Sequence, residues 1–203
     1  MHISETFKLI NSSKNNIFIN LNSSEFRLLR KRMIESVLST DMSNHSKYLT
    51  ALKNKITFCQ IKEGKDVNKL IEDSNSIKKF DNQQLVLNNI IHAADISNPA
   101  KLSHIYRKWV DLIFLEFFNQ GDLEKKENLN VTILCDRETT DINKSQIGFI
   151  KFVVKPTFET LLILAPEIQT YIEYINRNCK MYEELAAAID GSNVNENNKI
   201  NAK

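Results

Sequence analysis

The sequence predicts an all-α protein, a compact bundle of about eight to nine helices. Three observations point there. Gly and Pro are scarce, at 4 and 3 of 203 residues, so turns are few and periodic segments are long. Apolar residues recur at helical spacing in one segment after another. No segment alternates polar and apolar in the manner of a strand, and no internal repeat stands out.

The elements follow in order. Ile3, Phe7 and Ile10 share one face of a short helix that Asn11 to Ser13 ends. Asn22, with Glu25 three residues on, forms a capping-box pattern. The helix behind it carries Phe26, Leu29, Met33 and Val37 on one side and Arg27, Arg30 and Lys31 on another. Thr40 and Asp41 offer a second N-cap, for a helix through Tyr48 and Leu52. Residues 64–76 are polar and aperiodic and read as a loop. A strongly apolar helix is predicted from about Asn82 to Ile96, stopped by Ser97-Asn98-Pro99 because Pro disfavours helix in the residue before it. Trp109, Leu112, Ile113 and Phe117 mark a long helix from Ser103 to Gln120, with Gly121 as its C-cap. Leu129 to Thr139 is irregular. Helices are predicted at Asp141–Lys155 and Thr157–Leu164, broken at Pro156. Pro166 opens the last helix, expected to end near Ile189. One domain thus spans 1–189. The remaining residues, 190–203, are nearly all polar, with five Asn, and read as a disordered tail.

Composition removes several function classes. Lys and Arg number 27 against 25 for Asp and Glu, which gives no electrostatic reason to expect nucleic acid or an anionic membrane as partner. Cys59, Cys135 and Cys179 are far apart and form no CxxC, so neither a zinc knuckle nor a redox pair is suggested, and a reducing compartment is expected. The first residues lack the basic start and apolar core of a signal peptide. The longest apolar stretch, near Leu161 to Pro166, is far too short to cross a bilayer. A cytoplasmic location is expected, or the cytoplasmic face of a membrane if a longer parent carries membrane segments.

Two constellations could carry chemistry. The four histidines, His2, His45, His92 and His104, form no HxxH or HExxH pattern, and a histidine on a helix is more often a polar-edge or satisfied core residue than a ligand. His92 and Asp95, however, stand at i and i+3 on one helix. Asp95 lies within the apolar run IIHAADI, where its carboxylate is expected to be buried and to need a partner. A divalent metal is one such partner; a helix-turn cap or a basic side chain is another. Gln146 and Phe149 repeat the i, i+3 spacing. An amide that both donates and accepts could read a purine edge while the aromatic stacks on its face, with Ile113 and Phe117 as the opposite wall. An apolar helix face with Gln at its rim accounts for the same pattern.

Several stretches in order and spacing resemble a known family. These are HISETFKLI at the start, LRKRMIESVLSTDMSNH (Leu29 to His45), HAADISNPAK (His92 to Lys101) followed by Tyr106 and Trp109, EFFNQGDLEKK (Glu116 to Lys126), CDR (Cys135 to Arg137) and KSQIGFIKFVVKPTFETL (Lys144 to Leu161). Together they resemble the later part of a class I cyclic-nucleotide phosphodiesterase catalytic domain, over about Met1 to Leu185 with a variable loop near 58–78. The resemblance implies an all-helical bundle of the HD type and a dinuclear site of zinc with magnesium or manganese, held by two His and two Asp. It also implies cyclic AMP or cyclic GMP as substrate, attacked by a metal-bridging hydroxide and hydrolysed to the 5′-monophosphate. On it, Asp95 matches the last metal ligand, Gln146 the purine-selective glutamine, Phe149 the stacking aromatic and Ile113 the opposite side of that clamp. Asn98, Phe117 and Leu134 match pocket positions. Thr40, Asp41 and Met42 match residues near the metal-water network and the mouth of the site, and His2 matches the second His of a Glu-Asn-His-His motif. The family's His-Asn-x-x-His-Ala motif and the His-Asp motif after it do not occur, so the general-acid His and three ligands have no counterpart. The resemblance therefore implies a bundle incomplete on its N-terminal side and a truncated chain with little turnover of its own. Such a chain would be completed by the missing portion of the domain or paired as a homodimer; a non-catalytic cyclic-nucleotide binder is the alternative.

Overall fold

The computed structural model describes residues 2–62 and 76–200. Among them no strand occurs, as an all-α class requires. Contacts divide the chain into two units, residues 1–95 and 96–203.

The first unit holds α1 (His2–Ile10), α2 (Ser23–Leu38), α3 (His45–Thr57) and α4 (Ser76–Asp95). α1 buries Phe7 and Ile10, and the Arg30 guanidinium lies 4.7 Å from the Phe7 ring centre. The expected capping box starts α2: Asn22 Oδ1 accepts from the Ser24 and Glu25 amides, and Glu25 accepts from the Asn22 amide. Asp41 caps a 3-10 turn, Met42–Asn44, that leads into α3, where Leu49, Leu52 and Ile56 are buried. A π-helical turn, Phe58–Lys62, follows α3. Most of the predicted loop lies in residues 63–75, outside the described residues, and α4 begins at Ser76 rather than near Asn82.

α4 corrects the expectation of a simply apolar helix. Its inner face is polar: Gln84, Asn88, Asn89 and His92 are buried, while Leu87, Ile90 and Ile91 are exposed. The amide nitrogens of Gln84 and Asn89 are paired across the unit, while Gln84 Oε1 is buried without a partner. Gln84 Nε2 donates to Ser36 Oγ and Asn88 Oδ1, Ser39 Oγ donates to the Asn88 carbonyl, and Asn89 Nδ2 donates to the Tyr48 and Leu85 carbonyls. Such paired amides specify one alignment of helices where an apolar face would tolerate several.

In the second unit, a 3-10 turn at Asn98–Ala100 precedes α5 (Ser103–Lys126). Then come α6 (Ile142–Phe149), a π-helical segment Ile150–Val154, α7 (Lys155–Leu162), a 3-10 turn Pro166–Ile168 and α8 (Gln169–Ile200). Tyr106, Val110, Phe114, Ile150, Val154 and Ile175 form the centre of its core.

Three boundaries differ from expectation, each for a physical reason. Gly121 does not cap α5 but is buried inside it, because the chain passes so close that a Cβ there would stand 1.9 Å from the Cys135 carbonyl oxygen. Pro156 does not break a helix: the π-helical segment Ile150–Val154 joins α6 to α7 just ahead of it, and its wider turn accommodates a residue that offers no N–H. α8 does not stop near Ile189; no Pro follows Pro166, and the backbone stays helical to Ile200 through residues expected to form a disordered tail.

Candidate functional site

The residues singled out by sequence fall into both units. In the first, α4 delivers His92 and Asp95 to its last turn. The i, i+3 spacing puts them near each other, yet with opposite fates. His92 is 3% exposed, whereas Asp95 is exposed, which overturns the expected burial of that carboxylate. As the final residue of α4, Asp95 sits where the neighbouring turn no longer covers it. His92 finds its partner elsewhere: its Nε2 lies 2.8 Å from Nδ1 of His45, at the start of α3. Burial pushes the pKa of both imidazoles down. His92 raises the cost of charging His45, while the Asp95 carboxylate and the Thr40 backbone oppose the shift at His92. His92 Nδ1 is buried with no hydrogen-bond partner.

The site-lining candidates of this unit surround the 3-10 turn. Thr40 is half-buried and donates to the Val37 carbonyl. Asp41 is exposed, and its bond from the Ser43 amide holds its carboxyl below the usual carboxylate range. Met42 is exposed. His2 is exposed at the start of α1, its carbonyl accepting from the Thr6 hydroxyl.

In the second unit, the Asp141 carboxylate caps α6 by accepting from the Lys144 amide, and the helix so started carries Gln146 and Phe149. Gln146 is buried, at 8% exposure, and its Oε1 accepts from the Tyr106 hydroxyl on α5. Burial keeps that phenol protonated far above its ordinary range, so it remains a donor. Tyr106 and Ile113 are seven residues apart, on one face of α5, and Phe117 lies one turn further on. Ile113, Phe117 and Phe149 are half-buried, and the Phe117 ring meets Phe114 edge-on at 5.8 Å. Asn98 is half-buried in its 3-10 turn. Leu134 is 40% exposed and holds φ at 70°, a left-handed conformation that a leucine adopts only when its flanks are secured. Those flanks are tied to α5. Glu124 accepts from the Thr132 amide and hydroxyl, Lys125 pairs with Asp136, and Arg137 pairs with Asp122.

The comparisons with known proteins bear on this arrangement. The family model of the 3',5'-cyclic nucleotide phosphodiesterases matches residues 1–175. The chain belongs to this family. It is 36% identical over 185 residues to a 3',5'-cyclic-AMP phosphodiesterase, isoform F, of Drosophila melanogaster, covering 91% of this chain and 27% of that protein. It is 35% identical over 183 residues to the 3',5'-cyclic-AMP phosphodiesterase 4C of Rattus norvegicus, covering 90% and 33%. The phosphodiesterase domain of the RhoPDE fusion protein from the choanoflagellate Salpingoeca rosetta matches with a TM-score of 0.79 at 28% identity, covering 94% of this chain and 56% of that one. This phosphodiesterase chain therefore spans about half of a solved domain and a third or less of the curated relatives.

The family's metal centre can be tested against the residues at hand. Among the described residues no three His, Cys, Asp or Glu side chains converge to hold an ion. Asp95 stands as a single carboxylate, and His45 Nδ1 and His92 Nε2 face each other. The described residues thus do not fit a dinuclear site by themselves. Among them no helix is long and apolar enough to cross a membrane.

Sequence reading missed the functional setting of three residues. His45 was visible only as an isolated histidine and His92 only as a neighbour of Asp95, because the 47 positions that separate them hide their pairing. Tyr106 was marked only by its place after HAADISNPAK, which says nothing of a hydroxyl aimed at Gln146.

Proposed function

We propose that this chain forms the nucleobase-recognition part of a 3',5'-cyclic-nucleotide phosphodiesterase. In that reading the complete domain hydrolyses cyclic AMP, cyclic GMP or both to the 5′-monophosphate. Gln146 carries the proposal. A buried amide whose oxygen is held by a permanently protonated phenol presents a defined polar edge at an otherwise apolar rim, which suits a purine. Phe149 stacks on the base, Ile113 closes the opposite side, and Asn98, Phe117 and Leu134 line the pocket. The Drosophila and rat relatives, named as cyclic-AMP phosphodiesterases, support the substrate class.

The divalent ions of the complete domain, zinc with magnesium or manganese, supply the activated water and neutralise charge on the phosphoryl oxygens. This chain contributes Asp95 to them and holds His2, Thr40, Asp41 and Met42 at the edge of that region. The other ligands and the general acid come from further polypeptide of the same domain type, or from a partner. No hydrolytic step is therefore assigned to residues of this chain.

The test is equilibrium binding of cyclic AMP and cyclic GMP to this chain, with turnover assayed separately in added zinc and magnesium. Measurable binding with little or no hydrolysis is expected. Absence of binding overturns the base-recognition reading, and robust turnover overturns the assignment of a single ligand.

A further inference from the structure

Asn178, in the middle of α8, is 0% exposed. Its Nδ2 donates twice, to the Pro99 carbonyl and to the Lys101 carbonyl, at 2.8 Å each. Those two carbonyls bracket the end of the 3-10 turn that carries Asn98. The turn closes on itself through the Ala100 amide to the Ser97 carbonyl and the Lys101 amide to the Asn98 carbonyl, and Lys101 Nζ donates to Ser97 Oγ. Asn178 adds the anchors that tie this small loop to a long helix.

The chemistry of Asn178 argues for more than filling space. Its Oδ1 is buried and has no hydrogen-bond partner, which is costly. An apolar side chain would avoid that cost but would take from the Pro99 and Lys101 carbonyls the donor they share, so what the residue contributes is its Nδ2. What Nδ2 does is fix the backbone direction on both sides of Ala100, and with it the base of the Asn98 side chain. One turn further along the same face of α8, the Tyr182 ring meets Tyr106 edge-on at 5.6 Å. Tyr106 in turn holds Gln146. A single face of α8 therefore supports both polar groups proposed to read the base, one through each of these contacts.

We infer that Asn178 is a specificity-positioning residue: by holding the Pro99 and Lys101 carbonyls it sets how Asn98 meets the nucleobase, and so the relative affinity for adenine and guanine nucleotides. This rests on the reading of Asn98 as a base-pocket residue. Asn178 touches no base itself and acts through the turn.

The experiment measures displacement of a fluorescent cyclic AMP analogue by unlabelled cyclic AMP and cyclic GMP from the full chain. The variants are Asn178→Asp, Asn178→Ser, Asn98→Ala and the double variant Asn98→Ala/Asn178→Asp. Asn178→Asp keeps the shape but replaces two donations with repulsion between acceptors; Asn178→Ser serves if the aspartate fails to fold. The ratio of the two affinities is expected to shift by about fivefold or more in each Asn178 variant. The double variant is expected to match Asn98→Ala alone, as residues acting in series do. Folded Asn178 variants with an unchanged ratio overturn the proposal, as does a double variant in which the two shifts add. If the unmodified chain binds neither nucleotide, the base-recognition reading fails, and this inference with it; binding with an unmoved ratio removes this inference alone.

Discussion

His45 and His92 share one hydrogen bond, Nδ1 to Nε2 at 2.8 Å, with both rings largely withdrawn from water. Neutral imidazoles make this bond with one ring donating and the other accepting, and adding protons works against burial and against the neighbouring ring. The pairing ties the start of α3 to the last turn of α4, close to Asp95.

A pH dependence of stability follows. Both pKa values lie below the ordinary value near 6.5, so the unfolded chain takes up protons first as pH falls. The stabilisation is complete above about pH 6.5 and is lost as pH drops through the folded values. Lys53 reinforces the shift at His45, and Asp95 moderates it at His92. The other two histidines, His2 and His104, are exposed. Thermal unfolding should therefore show a lower midpoint at pH 5.5 than at 7.5. The slope across that window should flatten in His45→Gln/His92→Gln, which keeps polar side chains at both places without titrating.

Gly121→Ala is expected to destabilise the protein, although Ala favours helix over Gly by about 1 kcal/mol. The added Cβ would meet the Cys135 carbonyl oxygen at 1.9 Å, and backbone atoms cannot turn aside as a side-chain end can. A net loss of roughly 1–3 kcal/mol is expected in urea denaturation. A more stable variant would show that the loop lifts off α5 freely.

Gln146→Ala should weaken cyclic-nucleotide binding by roughly 1–3 kcal/mol, since the partner polar groups lose a buried hydrogen-bonding amide. Tyr106→Phe should weaken it by a smaller amount in the same direction, because the amide stays in place but loses its fixed donor. Titration calorimetry on the folded variants distinguishes the two. Equal affinities in all three proteins would take Gln146 out of the ligand site.

Asp95→Ala should change stability near pH 7.5, where His92 is neutral, by no more than about 0.5 kcal/mol, the usual range for an exposed position. In a complete catalytic domain the same substitution should abolish turnover. Retained turnover there would remove Asp95 from the metal site, and a large loss of stability would show that its charge secures the end of α4.

Much of the fold could be read from local grammar. The Asn22–Glu25 box, the Ser97-Asn98-Pro99 stop and the helical spacing of α5 depend on residues within a turn or two of one another, and the structure follows them. What escaped depends on distant neighbours. Gly121 has the form of a helix stop, and only the approach of Cys135 explains why it sits inside a helix instead. Asp95 lies in an apolar run, but exposure is decided by what covers the end of α4, and spacing does not encode that. Asn178 gave no sign at all: an Asn in a helix is unremarkable until the two carbonyls it serves, 79 and 77 residues away in sequence, are in view. The roles proposed for Gln146, Phe149 and Asn98 come from family resemblance: spacing favoured an ordinary helix face for the first two and gave no role to Asn98.

The π-helical segment between α6 and α7 has a bearing on how this protein can change over time. Each residue of an α-helix advances the chain by about 100° around its axis. The wider turn at Ile150–Val154 takes up an additional residue without unwinding the helical path, so the residues beyond it are offset by about one position in sequence from the spacing that Gln146 and Phe149 set. Loss of a single residue from that turn would restore an ordinary winding and leave Phe158 and Leu161 facing the interior they fill. The turn thus tolerates the gain or loss of one residue between two stretches of one rod, the one bearing Gln146 and the one bearing Phe158, without disturbing how either is buried.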